Sequence, residues 1–116
     1  MIGGIHLEIK EMQRQVDEYI QQFKVGYFEP LALLARITEE VGELSREINH
    51  FYGSKPKKST EDYKTIDEEL ADVLFTVICM ANALDIDLES AFLSTMDKFK
   101  VRDKNRFERV KKEESE

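Results

Sequence analysis

The sequence predicts an all-α protein: a four-helix bundle-like module with an antiparallel central helix pair, assembled as an oligomer. Apolar residues recur at spacings of three and four along four stretches, which is the period of an amphipathic helix. Only five glycines and two prolines occur among the 116 residues, so few breaks interrupt these stretches. Residues 1–107 are predicted to form one domain, and residues 108–116 a charged, frayed tail.

The first two helices are predicted over residues 5–23 and 30–51. Gly26 lies near the end of the first helix, and Pro30 suits the first turn of the second, because its ring fixes φ at a helical value and its missing N–H costs nothing there.

The third helix is predicted over residues 61–84, after a solvated loop that covers residues 52–60. Asp87 then follows a short turn and is a suitable N-cap, since its carboxylate can accept hydrogen bonds from the first free N–H groups of a helix. It predicts a fourth helix that runs to about Phe99.

Composition excludes several classes of function. The formal charge of −7 argues against a nucleic-acid polymer as partner, because binding the phosphate backbone requires a basic surface. No apolar run is long enough to span a membrane. The single cysteine, Cys79, lies in an apolar run, which predicts a buried thiol in a cytoplasmic protein without an internal disulfide.

Two acidic pairs have the same spacing on neighbouring helices. Glu40 and Glu43 are three residues apart on the second helix, as are Glu69 and Asp72 on the third, so each pair shares a helix face. At about 100° per residue, both pairs fall about 60° and 120° to the same side of the apolar seam. The seam residues are Ile37, Val41, Leu44 and Ile48 on the second helix, and Ile66, Leu70, Val73 and Val77 on the third.

Helix direction decides whether the two acidic pairs meet. Matching flanks lie on the same side of an antiparallel pair, and a loop of about ten residues favours such a hairpin in a bundle. Four carboxylates in one groove repel one another unless a divalent cation lies between them, and all-oxygen sites select hard cations such as Mg²⁺. The pattern predicts a metal site. The alternative is that both pairs are solvated helix faces.

The acidic residues form a motif: EExxE from Glu39, then ExxD from Glu69, with Lys98-Phe99-x-x-Arg102 after them. In these residues and in its helix-length pattern the chain resembles the MazG-like all-α nucleoside triphosphate pyrophosphohydrolases, in their short single-domain form. The resemblance covers roughly residues 5–107. EExxE alone is a weak signal, and its combination with ExxD and the basic segment is fairly specific.

The resemblance implies hydrolysis of a nucleoside triphosphate to the monophosphate and pyrophosphate, as nucleotide-pool clean-up, with Mg²⁺ as cofactor and Mn²⁺ as a substitute. The residues that match the family's metal ligands are Glu40, Glu43, Glu69 and Asp72. Glu39 matches the first acid of the motif, an outer-shell partner or a water-orienting base. Glu39, Glu40 and Glu43 therefore form the predicted catalytic set.

Positive charge for the phosphates is predicted on the fourth helix. Lys98, Arg102 and Arg106 share one face if the helix continues, because they are four residues apart. By resemblance, Lys98 and Arg102 bind the β and γ phosphates. The alternative is a charged helix end that Asp97 and Asp103 balance.

Base recognition is left open by the sequence. Four aromatic residues at the ends of the first two helices could stack on a base or simply plug the core, and Gln13 could bond a base edge or be a surface residue. The aromatic residues are Tyr27, Phe28, Phe51 and Tyr52.

The apolar stripes are broad for four short helices, since Tyr19 and Leu74 add to the seams. This predicts a homodimer or homotetramer with sites near subunit interfaces. Two alternatives to the predicted activity remain: a phosphoribosyl-ATP pyrophosphohydrolase, which shares the acidic motif, and a non-catalytic helical interaction module.

Overall fold

A computed structural model of the chain contains four α-helices: α1 (Ile9–Gln21), α2 (Pro30–Tyr52), α3 (Ile66–Ala83) and α4 (Leu88–Arg102). The structure describes residues 6–53 and 65–111, and these ranges contain no strand, which confirms the all-α prediction. No helix in them is long and apolar enough to cross a membrane. α2 runs through Tyr52, one residue into the predicted loop, and α3 begins at Ile66 after the extended Thr65, later than the predicted start at residue 61. Residues 54–60 of that loop, residues 61–64 and the last five residues of the tail lie outside the described residues.

α1 is shorter than predicted over residues 5–23. Residues 6–8 are not helical, and the helix ends at Gln21. The chain then turns back at Gly26, which has φ of +64° and donates its N–H to the carbonyl of Phe23. A left-handed backbone is strained for residues with a Cβ, so glycine suits this turn. The connector carries the chain directly into α2.

The other helices begin at residues suited to that place. Pro30 occupies the first turn of α2, as predicted. The Thr65 hydroxyl accepts a hydrogen bond from a backbone N–H in the first turn of α3, and the Asp87 carboxylate accepts two at the start of α4. The Asp87 cap is thus confirmed, and α4 runs to Arg102, three residues beyond the predicted end at Phe99.

α2 and α3 form the predicted antiparallel hairpin. The carboxylates of Glu40, Glu69 and Asp72 come together between the two helices. One turn before Glu40, Arg36 lines a pocket together with Thr76, which lies one turn after Asp72. Moving toward the start of α2 therefore means moving toward the end of α3.

Only part of the predicted seam lies on the inner face of this hairpin, since Ile37, Leu44, Val73 and Val77 are half-buried. Val41, Ile48 and Leu70 are 41–52% exposed, whereas Glu40 and Glu69 are 7% and 1% exposed. Both helices are rotated so that Glu40 and Glu69 lie inside the hairpin, beside the half-buried part of the seam. The physical reason is that the broad apolar stripes exceed what one chain covers, so hydropathy alone did not identify which part of each stripe lies inside.

A hydrogen-bond network fastens α1 to the rest of the chain. Gln13 Nε2 donates to Asn82 Oδ1 (2.8 Å), and Gln13 Oε1 accepts from the N–H of Leu88 (3.0 Å). Asn82 Nδ2 donates to the Tyr27 hydroxyl (3.0 Å), which donates to Asp17 (2.7 Å). Burial, together with the bond to Asp17, raises the pKa of Tyr27 to about 12. α1 thereby links α3, α4 and the connector.

Candidate metal centre

The predicted acids come together as two overlapping groups of three. Glu39, Glu40 and Glu43 each offer a carboxylate oxygen within 4.8 Å of the others. Glu40, Glu69 and Asp72 form the second group, by the same distance. The four predicted ligands are therefore gathered around Glu40, which belongs to both groups.

Burial makes this cluster unusual among acidic surfaces. Glu40 and Glu69 are buried, Glu43 and Asp72 are half-buried, and Glu39 is exposed. Two unit charges 4.8 Å apart repel by about 3.5 kcal/mol at an effective dielectric constant near 20. An acid that simply solvates a helix faces water, so the position of Glu40 and Glu69 inside the hairpin argues against the solvated-face alternative.

Arg36 supplies part of the compensating charge. Its guanidinium lies 3.7 Å from Glu40 Oε1 and 3.5 Å from Glu39 Oε1. Sequence reasoning did not include this residue, although its position four residues before Glu40 was a usable signal, because residues at that spacing are neighbours on a helix.

The donor set fits a hard divalent cation. All five acids offer carboxylate oxygens, the ligand type that Mg²⁺ and Mn²⁺ prefer. Neighbouring and opposite oxygens of an octahedral Mg²⁺ site lie about 2.9 and 4.1 Å apart, given Mg–O distances of about 2.0–2.1 Å. The observed oxygens of each group lie within 4.8 Å of one another, a spread close to that of such a site, so these residues would hold the ion.

A second polar pair lies further along the same face of α2. Glu47 follows Glu40 by seven residues and is also buried, and its carboxylate lies 3.9 Å from Nδ1 of His50. This pair was not singled out from the sequence. The seven-residue spacing from Glu40 was the available signal, since it returns to nearly the same helix face.

The helix that carries the predicted phosphate-binding residues does not pack mainly against the helices that carry the acids. α4 packs chiefly against α1, whereas the acids lie on α2 and α3. Arg102 donates to Asp103 at 2.8 and 3.0 Å and lies over the Phe99 ring, and this pairing holds the pKa of Asp103 below its ordinary value. Arg106 also bonds to Asp103. The roles predicted for Lys98, Arg102 and Arg106 stay predictions.

The four candidate aromatic residues separate into two groups. Tyr27 and Phe28 line a pocket near the start of α2, while Phe51 and Tyr52 pack on each other at its end. The 23 residues of α2 place these groups roughly 35 Å apart. One base can therefore contact only one group within a chain. Gln13 is held in the α1 network, which favours a structural role over base recognition.

Comparison with known proteins now identifies the family. The model of the MazG nucleotide pyrophosphohydrolase domain matches residues 28–107, a range that includes the whole hairpin, all five acids and the basic segment. The chain belongs to this family. Membership confirms the predicted resemblance and the predicted enzyme class, a pyrophosphohydrolase that cleaves an acid anhydride.

Similar proteins agree with this assignment. The uncharacterized protein YpjD of Bacillus subtilis is 59% identical over 101 residues, which cover 87% of this chain and 91% of YpjD. MazG of Thermotoga maritima, a nucleoside triphosphate pyrophosphohydrolase/pyrophosphatase, is 28% identical over 102 residues, or 88% of this chain. This match covers only 35% of the Thermotoga protein.

Two crystal structures share the fold. The structure of Bacillus subtilis YpjD superposes with a TM-score of 0.74 at 57% identity, covering 83% of this chain and 98% of that one. A Bacillus-conserved MazG protein, described as a nucleotide pyrophosphohydrolase, gives 0.71 at 55% identity and covers 81% of this chain and 90% of its own. The four-helix arrangement is therefore that of the family.

Proposed function

We propose that this protein hydrolyses a nucleoside triphosphate to the monophosphate and pyrophosphate, with Mg²⁺ held by Glu40, Glu43, Glu69 and Asp72. Mn²⁺ is the expected substitute. The observation that carries the proposal is the pair of overlapping carboxylate groups centred on the buried Glu40, inside a chain of the MazG family. Hydrolysis of surplus or damaged triphosphates in the cytoplasm is the role that this activity suits.

The acids have different proposed roles according to their positions. Glu69 and Asp72 on α3 face Glu40 on α2, so the hairpin fixes the ligands of one ion from both sides. Glu43 and Glu39 extend the cluster along α2 toward solvent. When bound, Mg²⁺ neutralises phosphate charge and lowers the pKa of an attacking water.

Glu39 is the acid best placed to orient that water. It is exposed, yet its carboxylate belongs to the cluster and contacts Arg36 at 3.5 Å. An exposed carboxylate can accept a proton from water and exchange it with solvent, which the buried Glu40 and Glu69 cannot do as readily. Phosphoryl chemistry needs positioning and charge neutralisation more than a protein nucleophile.

Lys98 and Arg102 are proposed to bind the β and γ phosphates, and Arg106 to add a further positive charge to the substrate site. Replacing Arg102 by Ala should raise KM for the triphosphate about 10- to 100-fold, since a charge-assisted hydrogen bond contributes about 1.5–3 kcal/mol. Arg109→Ala is the matched control, because Arg109 donates to the Lys104 carbonyl at 2.9 Å and has no assigned role. Equal KM values for both variants would exclude a phosphate contact by Arg102.

We also propose that the active form is a homodimer or homotetramer. Leu34, Val41 and Ile48 are 51%, 46% and 41% exposed and lie seven residues apart, which makes an apolar stripe along α2. Leu70 and Leu74 of α3 are exposed as well. A second hairpin seated on this stripe would cover it.

Oligomer formation is tested by Leu34→Glu, which places a charge on the stripe away from the acid cluster. Light scattering should show a dimer or tetramer for the parent protein and a smaller species for this variant. Val110→Glu changes a 91% exposed valine outside the stripe and should leave the mass unchanged. A parent protein that is monomeric at micromolar concentration would contradict the proposal.

The activity itself is tested by a pyrophosphate-release screen over common and modified nucleoside triphosphates, with Mg²⁺, with Mn²⁺ and with EDTA. Phosphoribosyl-ATP is included, so that product analysis separates the two pyrophosphohydrolase alternatives. Glu43→Gln should abolish pyrophosphate release while circular dichroism stays that of the parent. Absence of release from every nucleotide, with no effect of Mg²⁺ on thermal stability, would favour a helical interaction module.

A further inference from the structure

Arg36 contacts the acid cluster, and both of its contacts are long. Nη1 lies 3.5 Å from Glu39 Oε1, and Nη2 lies 3.7 Å from Glu40 Oε1. Charge-assisted hydrogen bonds between an arginine and a carboxylate are about 2.7–2.9 Å long and are often bidentate. Arg102, by comparison, makes two bonds of 2.8 and 3.0 Å to Asp103. Arg36 is therefore held beside the acids by its charge more than by strong hydrogen bonds.

The Arg36 guanidinium has hydrogen-bonding capacity left over. A guanidinium carries five N–H donors in a planar fork. Within residues 6–53 and 65–111, the hydrogen bond that Arg36 makes is the 3.5 Å contact with Glu39. The side chain is 53% exposed, so most of these donors can reach a ligand that enters the site.

Arg36 would lose its attraction to Glu40 in the metal-loaded protein. Glu40 belongs to both acid groups, so its carboxylate would take part in holding a divalent cation. The two positive charges of such an ion exceed the single negative charge of Glu40, and the net effect on a neighbouring guanidinium is repulsion. The long contacts of Arg36 provide little hydrogen-bond energy to oppose this repulsion.

A phosphate chain would offer Arg36 a new acceptor at the same place. The planar fork of a guanidinium matches the geometry of phosphate oxygens, and its charge does not depend on pH in the ordinary range. Arg36 already lies beside the acid cluster, whereas the helix that carries Lys98 and Arg102 packs chiefly on α1. Position and chemistry therefore both suit Arg36 to a phosphate that is bound at the acids.

We propose that Arg36 exchanges partners when the site is loaded. It pairs with Glu39 and Glu40 in the metal-free protein, and it binds a phosphate oxygen of the substrate in the metal-loaded one. The inference rests on the proposed function, because it takes the acid cluster to be the Mg²⁺ site and the bound anion to be a nucleoside triphosphate. Arg36 thus lowers the repulsion between the acids when no ion is bound and contacts the substrate when ions are bound.

The first test uses Mg²⁺ without nucleotide and compares the parent protein with Arg36→Met. Methionine keeps a long side chain that suits a helix and removes the charge. In EDTA the variant should have the lower Tm, because Glu40 loses a compensating charge. It should bind Mg²⁺ roughly three- to tenfold more tightly in calorimetric titration, because no guanidinium opposes the ion. The Tm difference should therefore shrink in saturating Mg²⁺, whereas a purely structural role would lower Tm equally in both buffers.

Two further variants control this test. Arg46→Met removes the same charge from an exposed position on the same helix, and it should leave the Mg²⁺ affinity unchanged. Arg36→Lys keeps the charge and loses the planar fork, so its Mg²⁺ affinity should stay close to that of the parent protein. Arg36→Gln replaces Arg36→Met in every comparison if the methionine variant loses its helical circular dichroism.

The second test measures hydrolysis at saturating Mg²⁺. Arg36→Met should lower kcat/KM for triphosphates about 10- to 100-fold, the loss expected when a charge-assisted hydrogen bond is removed. Arg36→Lys should lose less, because it retains the charge. The methionine variant is expected to bind Mg²⁺ at least as tightly as the parent protein, so a loss of metal would not explain its lower activity.

The inference is overturned if Arg36→Met binds Mg²⁺ no more tightly than the parent protein, or if Arg46→Met has the same effect. It is also overturned if Arg36→Met retains the parent kcat/KM while the parent protein releases pyrophosphate. A parent protein that releases pyrophosphate from no nucleotide contradicts instead the proposed function, so the two failures are distinguishable.

Discussion

Replacing Glu40 by Gln should raise the stability of the metal-free protein and lower that of the metal-loaded one. Glu40 lies within 4.8 Å of Glu69 and Asp72 across the hairpin, and each such pair repels by about 3.5 kcal/mol at an effective dielectric constant near 20. Its pairs with Glu39 and Glu43 on α2 extend toward solvent, where water and salt screen them, so they contribute much less. The attraction between Glu40 and Arg36 at 3.7 Å stabilises the parent protein by about 4.5 kcal/mol at the same dielectric constant. The neutral amide should therefore gain about 2 kcal/mol in EDTA.

The assay is thermal unfolding followed by circular dichroism, at one protein concentration, in EDTA and in Mg²⁺. A gain of about 2 kcal/mol corresponds to roughly 8 °C in Tm for a domain of this size. At a Mg²⁺ concentration 100 times its Kd, the parent protein gains about 2.7 kcal/mol, which Glu40→Gln should largely lose. The order of the two Tm values should thus reverse between the two buffers.

The matched control is Glu18→Gln on α1. Glu18 is paired with Arg14 at 2.9 Å, and its side chain is 76% exposed. An exposed pair contributes little, so its stability should stay within about 0.5 kcal/mol of the parent in both buffers. The charge argument is refuted if Glu40→Gln is less stable than the parent in EDTA, or if Mg²⁺ stabilises both proteins equally.

Three further predictions concern the scaffold that holds the site. Leu33→Ala should cost about 2–5 kcal/mol in urea unfolding, because this side chain is 5% exposed and its loss leaves a cavity; a cost below 1 kcal/mol would contradict the assigned core. Asn82→Ala should cost about 1–3 kcal/mol by breaking the α1 network, whereas Asn49→Ala, which loses only an exposed bond within α2, should cost less than half of that. Because the folded-state pKa of Tyr27 is about 12, above its ordinary value of 10, its contribution is complete below pH 10 and is lost as the pH rises to 12. Tyr27→Phe should therefore flatten the fall in stability over that range, and an unchanged slope would contradict a pKa raised by burial and by the bond to Asp17.

Local sequence patterns were enough to predict the helices and the acidic residues of the candidate site. Three signals depend only on residues within one or two helical turns: the helix period, the proline at the start of α2 and the Asp87 cap. Such signals can be recognised in the sequence without knowledge of the packing. The spacing of three within each acidic pair works in the same way. The hairpin direction followed from loop length, and the meeting of Glu40 with Glu69 and Asp72 agrees with it.

Packing choices between helices were not available from the sequence. The apolar stripes on α2 and α3 are wider than the surface that one neighbouring helix covers. Several rotations of each helix about its axis therefore bury a similar amount of apolar surface. The observed rotation buries Glu40 and exposes Val41 of the predicted seam, while Ile37 and Leu44 of the same seam stay half-buried. It also places Arg36 between Glu40 and a pocket lined by Tyr19, Phe23 and Phe75, residues that lie far from one another in the sequence.

The sequence by itself determined that the chain is helical, which carboxylates share a helix face, and which family motif they form. Each of these depends on neighbours along one helix. Only the tertiary structure decided that Glu40 belongs to both acid groups and that α4 packs chiefly on α1. The physical reason is that apolar burial is non-directional, so it draws helices together without specifying which side chains meet.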